Sequence, residues 1–151
     1  MATIRQSIEI HATPEQVFSF HTNPENLVKI TPPFITVILD HWGEAGHGQE
    51  VHLTIQQWGM PAQKMHIRFV EYDFPHRLTD EQIRGPFGSM RQTREFIAAG
   101  DKTIMTDTFT YSLPFGVLGI LADLLIVRHI TKYMFRYRQN KTKALLEKRI
   151  G

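Results

Sequence analysis

The chain has 151 residues, of which 42% are hydrophobic and 21% charged, and its formal net charge is +2. This length and composition are typical of one globular domain, so we expect a single domain over residues 1–151. The sequence contains no cysteine, which excludes disulfides, thiolate metal sites and cysteine nucleophiles. The N-terminus lacks the apolar segment of a signal peptide, which favours a cytoplasmic location.

The N-terminal part predicts one strand followed by two short helices. Isoleucines at even positions in Thr3–His11 fit a half-buried strand. Thr13-Pro14-Glu15-Gln16 has the form of a capping box with proline at the first helical position. Asn23-Pro24-Glu25 begins a second helix in the same way, and Pro32-Pro33 ends it because proline cannot continue a helix.

Six further strands are expected next, because short runs of β-branched and aromatic residues alternate with turn residues such as Gly59-Met60-Pro61. They are Phe34–Trp42, Gln49–Trp58, Gln63–Tyr72, Arg77–Arg84, Ser89–Ala98 and Lys102–Leu113. Residues Pro114–Arg149 carry apolar side chains at helical spacing, including Leu125, and predict one long helix. The order favours an α+β domain, in which a curved antiparallel sheet of seven strands packs against the C-terminal helix.

The last hairpin is the most informative segment. A two-residue turn at Gly100-Asp101 would pair the flanking residues and fix the register of both strands. Arg94 then faces Asp107, and the face that they share is mostly apolar and therefore predicted to point inward. That face would carry Met90, Gln92, Arg94, Phe96, Met105, Asp107, Phe109 and Tyr111. The opposite face, with Thr93, Glu95, Thr106, Thr108 and Thr110, is expected to be solvated.

A buried arginine–aspartate pair costs free energy to desolvate, so on an apolar face it has two interpretations. It either ties the sheet together or supplies the polar group of a ligand pocket. The second interpretation predicts a cavity between the sheet and the C-terminal helix that binds an apolar or aromatic small molecule. Its predicted lining is Met65, Phe69, Met90, Gln92, Arg94, Asp107, Phe109, Tyr111, Leu125, His129 and Tyr133.

An enzyme is the alternative hypothesis. Asp107, Tyr111 and His129 are candidate acid–base or orienting groups for a cyclase, dehydratase or hydrolase acting on a hydrophobic substrate. No second carboxylate is predicted beside Asp107, however, and a lone inward histidine is usually structural. The eight histidines lack metalloprotease spacing, and there is no phosphate-binding glycine loop. We therefore expect no metal and no other cofactor.

The C-terminal helix is strongly basic and offers a third option, an interaction module. From Arg128 onward the chain has eight basic residues and one acidic residue, Glu147. Such a face usually does no more than contact solvent, but it is also compatible with peripheral contact to an anionic membrane. The chain has no recognisable nucleic-acid module, so nucleic acid is not an expected partner. Both a monomer and a homodimer remain open.

Several short motifs carry a resemblance to a known superfamily. They are Ala12-Thr13-Pro14-Glu15-Gln16-Val17-Phe18, Thr31-Pro32-Pro33-Phe34, Asp80-Glu81-Gln82 before Gly85-Pro86-Phe87, and Thr106-Asp107 with Tyr111-Ser112-Leu113-Pro114-Phe115-Gly116. In this order they resemble the START/polyketide cyclase superfamily, also called SRPBCC, and within it the bacterial polyketide cyclase/dehydrase-like or cell-division-inhibitor-like ligand-binding branch.

The resemblance implies a helix-grip fold, in which the sheet wraps around the long C-terminal helix and leaves an interior cavity. It further implies binding or transport of a lipid or polyketide-like molecule, because the superfamily includes lipid carriers, hormone receptors and cyclases. Relatives in this branch typically place a tryptophan and two histidines on the strand after the Gly-Pro turn, where this chain has Met90, Gln92 and Arg94. The expectation is therefore a ligand-binding protein more than an enzyme.

Overall fold

The computed structural model describes residues 1–57 and 61–150, and an antiparallel sheet of seven strands dominates it. The strands are β1 (Ala2–Ile10), β2 (Ile35–Trp42), β3 (Glu50–Gln57), β4 (Gln63–Asp73), β5 (Arg77–Arg84), β6 (Ser89–Ala99) and β7 (Lys102–Ser112). Their order is β1-β7-β6-β5-β4-β3-β2. The predicted α+β helix-grip fold is confirmed. The predicted strand end at Trp58 and the turn residues Gly59 and Met60 lie outside the described residues.

Two short helices, α1 (Pro14–Thr22) and α2 (Pro24–Lys29), follow β1 as predicted. The capping box at Thr13 is complete. The Gln16 amide donates to Thr13 Oγ1 at 3.2 Å, and the Thr13 amide donates to Gln16 Oε1 at 2.9 Å. The Asn23 side chain caps α2 by accepting a hydrogen bond from the Glu25 amide at 3.1 Å.

The β6–β7 hairpin has the predicted register, with Arg94 opposite Asp107 and Gln92 opposite Phe109. The expectation of a fully solvated outer face is wrong in part, because Thr93 and Thr106 are buried. The Thr93 hydroxyl lies 3.1 Å from that of Thr79, and the Thr106 hydroxyl lies 2.8 Å from that of Ser7. Short hydroxyl side chains satisfy one another across neighbouring strands and so tolerate burial.

The long C-terminal helix is interrupted by one turn of π-helix. It consists of α3 (Gly116–Ala122), the π-turn (Asp123–Val127) and α4 (Arg128–Ile150). The Arg128 amide donates to the carbonyl of Asp123, five residues back instead of the four of an α-helix. The turn therefore contains one extra residue, which changes the side of the helix that faces the sheet by about 100°.

This change of phase overturns the predicted inward orientation of three helix residues. Leu125 is 73% exposed, Tyr133 is 55% exposed, and His129 is also exposed. An uninterrupted α-helical period, on which the prediction relied, places all three on the buried stripe. The inward face of α4 instead carries Thr131, Phe135, Gln139, Thr142 and Leu146.

Candidate functional site

A cavity of about 560 Å³ lies between the concave face of the sheet, the two short helices and the C-terminal helix. Its volume is in the usual range for small-molecule sites. The walls are mainly apolar and come from almost every element: Phe20, Leu27, Ile30, Ile35, Val37, Val51, Leu53, Ile55, Met65, Ile67, Phe69, Phe87, Met90, Phe109, Leu113, Val127, Ile130 and Met134. For the members of this set that lie on strands, alternation along each strand places the side chains on one face of the sheet.

Most of the sheet residues predicted to line the cavity do so: Met65, Phe69, Met90, Gln92, Arg94 and Phe109. Asp107 and Tyr111 are buried on the same sheet face but lie outside the lining, because α4 and the π-turn pack over them. Leu125, His129 and Tyr133 lie outside it as well. The C-terminal helix contributes Val127, Thr131, Met134 and Arg138 to the lining. The sequence did not predict these four residues as part of the cavity.

One end of the cavity is polar. The β5–β6 register sets Asp80 directly opposite Gln92, and Arg94 follows two residues later on the same face. Arg138 reaches this region from α4, and His21 reaches it from α1. We call the group Asp80, Gln92, Arg94 and Arg138 the polar end. Sequence reasoning identified only the two β6 members of this group.

Arg94 forms an ion pair with a residue that lies outside the cavity lining. Its Nε lies 3.0 Å from Oδ1 of Asp107, and both side chains are almost fully buried. Gln139 on α4 donates to the other carboxylate oxygen of Asp107 at 2.8 Å and to the carbonyl of Gln6 at 3.0 Å. The pair therefore ties β6, β7, β1 and α4 together, while Arg94 itself still lines the cavity.

The titrating groups of this region have unusual pKa values because they are buried. Burial raises the pKa of Asp80 to about 6, against the opposing effect of the Arg94 and Arg138 cations. Burial, reinforced by Arg94, lowers the pKa of His21 to about 3, and this ring also hydrogen-bonds the Val17 carbonyl through Nδ1 at 2.9 Å. At neutral pH His21 is uncharged, whereas Asp80 exchanges its proton near physiological pH.

Two nitrogen donors of the polar end are buried without a hydrogen-bond acceptor among the described residues. They are Nε2 of Gln92 and Nε of Arg138. Burial, with the nearby Arg94 cation, lowers the pKa of Arg138 to about 10, so its guanidinium is still charged at neutral pH. Buried polar groups are nearly always hydrogen-bonded, so two unpaired donors in residues of one cavity wall are unusual.

A second polar group, the π-turn cluster of Tyr111, Asp123 and Arg128, lies beside the cavity but outside its lining. The Tyr111 hydroxyl donates to Oδ1 of Asp123, and Arg128 donates to Oδ2 at 2.8 Å. Burial and the adjacent Asp123 carboxylate raise the pKa of Tyr111 to about 12. Tyr111 thus keeps its proton and anchors the π-turn to the sheet.

The candidate catalytic set Asp107, Tyr111 and His129 is not assembled around the cavity. Asp107 pairs with Arg94 and Gln139, Tyr111 pairs with Asp123, and His129 is on the exposed side of α4. The ionisable carboxyl group that does line the cavity is Asp80.

The cavity reaches the surface beside α3. Phe115 and Leu118 line it although they are 82% and 72% exposed. Other exposed apolar side chains adjoin them: Val117, Ile120, Leu121, Leu124, Leu125 and Ile126. None of the helices within residues 1–57 and 61–150 is long and apolar enough to cross a membrane.

The outer face of the sheet carries a row of histidines. The rings of His41, His52 and His66 stack across β2, β3 and β4, with centroid separations of 4.0 and 3.9 Å, and His66 Nε2 lies 2.7 Å from a Glu50 oxygen. In the described part of the chain, no three histidine, aspartate or glutamate side chains are grouped so that they could hold a metal ion.

Solved structures share this fold over nearly the whole chain. The protein TTHA0849 from Thermus thermophilus has a TM-score of 0.77 at 19% identity and covers 95% of each chain. A norcoclaurine synthase point mutant from Thalictrum flavum, in complex with a transition-state analogue, has a TM-score of 0.73 at 15% identity, with 99% of this chain and 96% of that chain covered. At such identities the likeness establishes the fold alone.

The di-domain aromatase/cyclase StfQ of the steffimycin biosynthetic pathway has a TM-score of 0.76 at 12% identity, and the match covers 99% of this chain and 51% of that one. No curated protein matches the sequence. A family model described as polyketide cyclase / dehydrase and lipid transport matches residues 1–147. This match confirms the resemblance drawn from the motifs, and the chain belongs to the polyketide cyclase/dehydrase and lipid transport family.

Proposed function

We propose that the protein binds or carries a hydrophobic or aromatic small molecule, of lipid or polyketide-like type, in the cavity between the sheet and the C-terminal helix. The observation that carries the proposal is a mainly apolar cavity of about 560 Å³ that reaches the surface at Phe115 and Leu118. Apolar surface transferred from water to such walls contributes roughly 25 cal/mol per Å². The family description, which includes lipid transport, supports the same interpretation.

The proposal is tested by filling the cavity. Val37 on β2 lines it, whereas the next residue, Ile38, points to the other face and is 54% exposed. We expect Val37→Trp to abolish binding of apolar ligands and Ile38→Trp, its matched control, to leave binding intact. Native mass spectrometry of protein isolated from its own cells would identify a carried ligand, and thermal shift with a panel of lipids and aromatic compounds would measure binding.

Two results would contradict the proposal. One is protein that carries no ligand and shows no thermal shift with any compound in the panel. The other is a pair of tryptophan variants that lower binding equally, since β2 would then matter for stability and not for the cavity.

A second candidate is a cyclase or dehydratase acting on a hydrophobic substrate, and Asp80 is the observation that favours it. Its carboxyl group lines the cavity, and its pKa of about 6 suits a general acid or base near neutral pH. In this case a bound ligand is converted, the rate depends on a group that titrates near pH 6, and Asp80→Asn abolishes conversion without abolishing binding. Recovery of the ligand unchanged after incubation would exclude the enzyme.

A further inference from the structure

We propose that the ligand carries a carboxylate head group, which Arg94 and Arg138 bind at the polar end while the apolar body occupies the rest of the cavity. The inference rests on the proposed function, because it assigns a ligand class to the same cavity. It concerns the head group alone and makes no use of the exposed apolar residues beside α3.

Arg138 is the first reason. It lines the cavity, its Nε is buried without an acceptor, and no carboxylate oxygen of the described residues lies within ion-pair distance of it. The guanidinium lies over the Phe135 ring, whose centroid is 5.6 Å from the guanidinium carbon. A partly buried cation without an ion-pair contact is costly, and an anionic ligand that bound it directly would lower that cost.

Arg94 is the second reason. Asp107 engages its Nε from outside the cavity lining, and Gln139 fixes Asp107 in that position. A guanidinium has five N–H donors, so one ion pair through Nε leaves others for the cavity side. Planar guanidinium groups bind a carboxylate through two parallel hydrogen bonds, a geometry that a hydroxyl or ester cannot reproduce. The amide nitrogen of Gln92, which is buried without an acceptor, lies in the same region.

Asp80 completes the charge balance. The groups that face it are Arg94 from β6, Asp107 from β7, Arg138 from α4 and the neutral ring of His21 from α1. Asp107 neutralises Arg94, and at neutral pH the ionised Asp80 is the remaining anion of the polar end, although it lies beyond ion-pair distance of Arg138. A carboxylate ligand that arrives there disfavours the charged form of Asp80, which would take up a proton on binding. Affinity for the acid should therefore fall as the pH rises above about 6.

The test compares acids with their alcohols, which share the apolar body and differ in the head group. Isothermal titration calorimetry would use dodecanoate, hexadecanoate and 2-naphthoate against dodecanol, hexadecanol and 2-naphthylmethanol. We expect the wild type to prefer at least one acid over its alcohol by tenfold or more. Arg138→Met should remove that preference by weakening the acid alone. Lys132→Met, which removes an exposed cation of the same helix, should change neither affinity.

Gln92→Leu is a second variant that changes no charge, and it should weaken the acid by a smaller factor than Arg138→Met. For the wild type, titrations near pH 7 in two buffers of different ionisation enthalpy should show proton uptake with the acid, and Asp80→Asn should abolish that uptake.

The outcomes separate this inference from the proposed function. Alcohols that bind as tightly as acids, or an Arg138→Met variant that loses both equally, would overturn the carboxylate head group and leave the cavity proposal in place. If none of the six compounds bound the wild type, and native mass spectrometry of the wild type found no carried ligand, both proposals would fall together.

Discussion

Two polar groups on the inner side of this protein differ in how their charges are paired. In the π-turn cluster, both carboxylate oxygens of Asp123 accept hydrogen bonds from Tyr111 and Arg128. At the polar end, Arg138 has no ion-pair partner among the described residues, and its Nε and that of Arg128 are both buried without an acceptor. The difference therefore lies in the ion pair, which holds the first group together and which the second group would gain only from the ligand proposed above.

The largest effect is expected from Asp123→Ala, which removes the carboxylate that holds the π-turn cluster together. Its loss leaves the buried Tyr111 hydroxyl without an acceptor and Arg128 without its carboxylate. Arg128 is about one-third exposed at its side chain and can turn to solvent, so we expect a decrease of about 3 kcal/mol in the free energy of unfolding. Urea denaturation measures it.

A double variant checks the cause. Because Tyr111→Phe removes the hydroxyl that loses its acceptor, it should add little to the destabilisation already caused by Asp123→Ala. Fully additive losses would show that the two side chains act independently and that the cluster is not a unit.

A smaller, pH-dependent effect of opposite sign is expected from Asp80→Asn. The pKa of Asp80 rises from its ordinary value of 3.8 to about 6 in the folded protein, so the folded protein binds the extra proton between these values. Stability therefore falls as the pH rises through this window, and the cost of the buried charge is fully present above about pH 6. A shift of this size corresponds to about 3 kcal/mol, so removing the charge should stabilise the protein by somewhat less than that at pH 8, because Asn is itself a buried polar group, and hardly at all at pH 4.

Thermal or urea unfolding at the two pH values measures this difference. His21 has the opposite linkage, since its pKa is lowered to about 3 and its contribution is lost as the pH falls below 6.5. That contribution is present in both the wild type and the variant, and it cancels in the comparison. A variant that is destabilised at pH 8 would mean that the Asp80 charge is compensated within the protein.

The smallest effect is expected from Arg138→Met in the ligand-free protein. The substitution removes an unpaired cation and keeps an apolar side chain of similar length, so unfolding free energy should stay unchanged or rise by up to about 1 kcal/mol. Differential scanning calorimetry without ligand measures this. A loss of several degrees in Tm would identify Arg138 as a stabilising residue and weaken the contrast between the two groups.

The hairpin register could be predicted because the turn determines it. Gly100 adopts φ +67°, which glycine tolerates, and the turn at Gly100-Asp101 leaves no freedom in the pairing of β6 with β7. Local chemistry also predicted the capping box at Thr13. In these places the residues that define the geometry are adjacent in sequence.

The rest of the polar end could not be predicted because it depends on contacts distant in sequence. Asp80 lies on β5, where Leu78, Thr79 and Asp80 are all buried, so burial does not alternate and the inward face cannot be read from the strand. Arg138 is found only if the helix period is counted from Val127 through Thr131 and Met134, after the extra residue of the π-turn. No local pattern in the sequence indicates that the segment 123–127 contains an extra residue.

The π-turn has a consequence for changes in chain length. Deleting one residue from 123–127 would restore a continuous α-helix, but it would also rotate α3 by about 100° against α4 and turn its apolar side chains toward a different neighbour. A shorter chain would be helically more regular and yet lose the Tyr111–Asp123 connection. The helix therefore consists of two segments whose orientations are set independently. α3 lies where the cavity reaches the surface, and α4 carries Arg138 at the polar end.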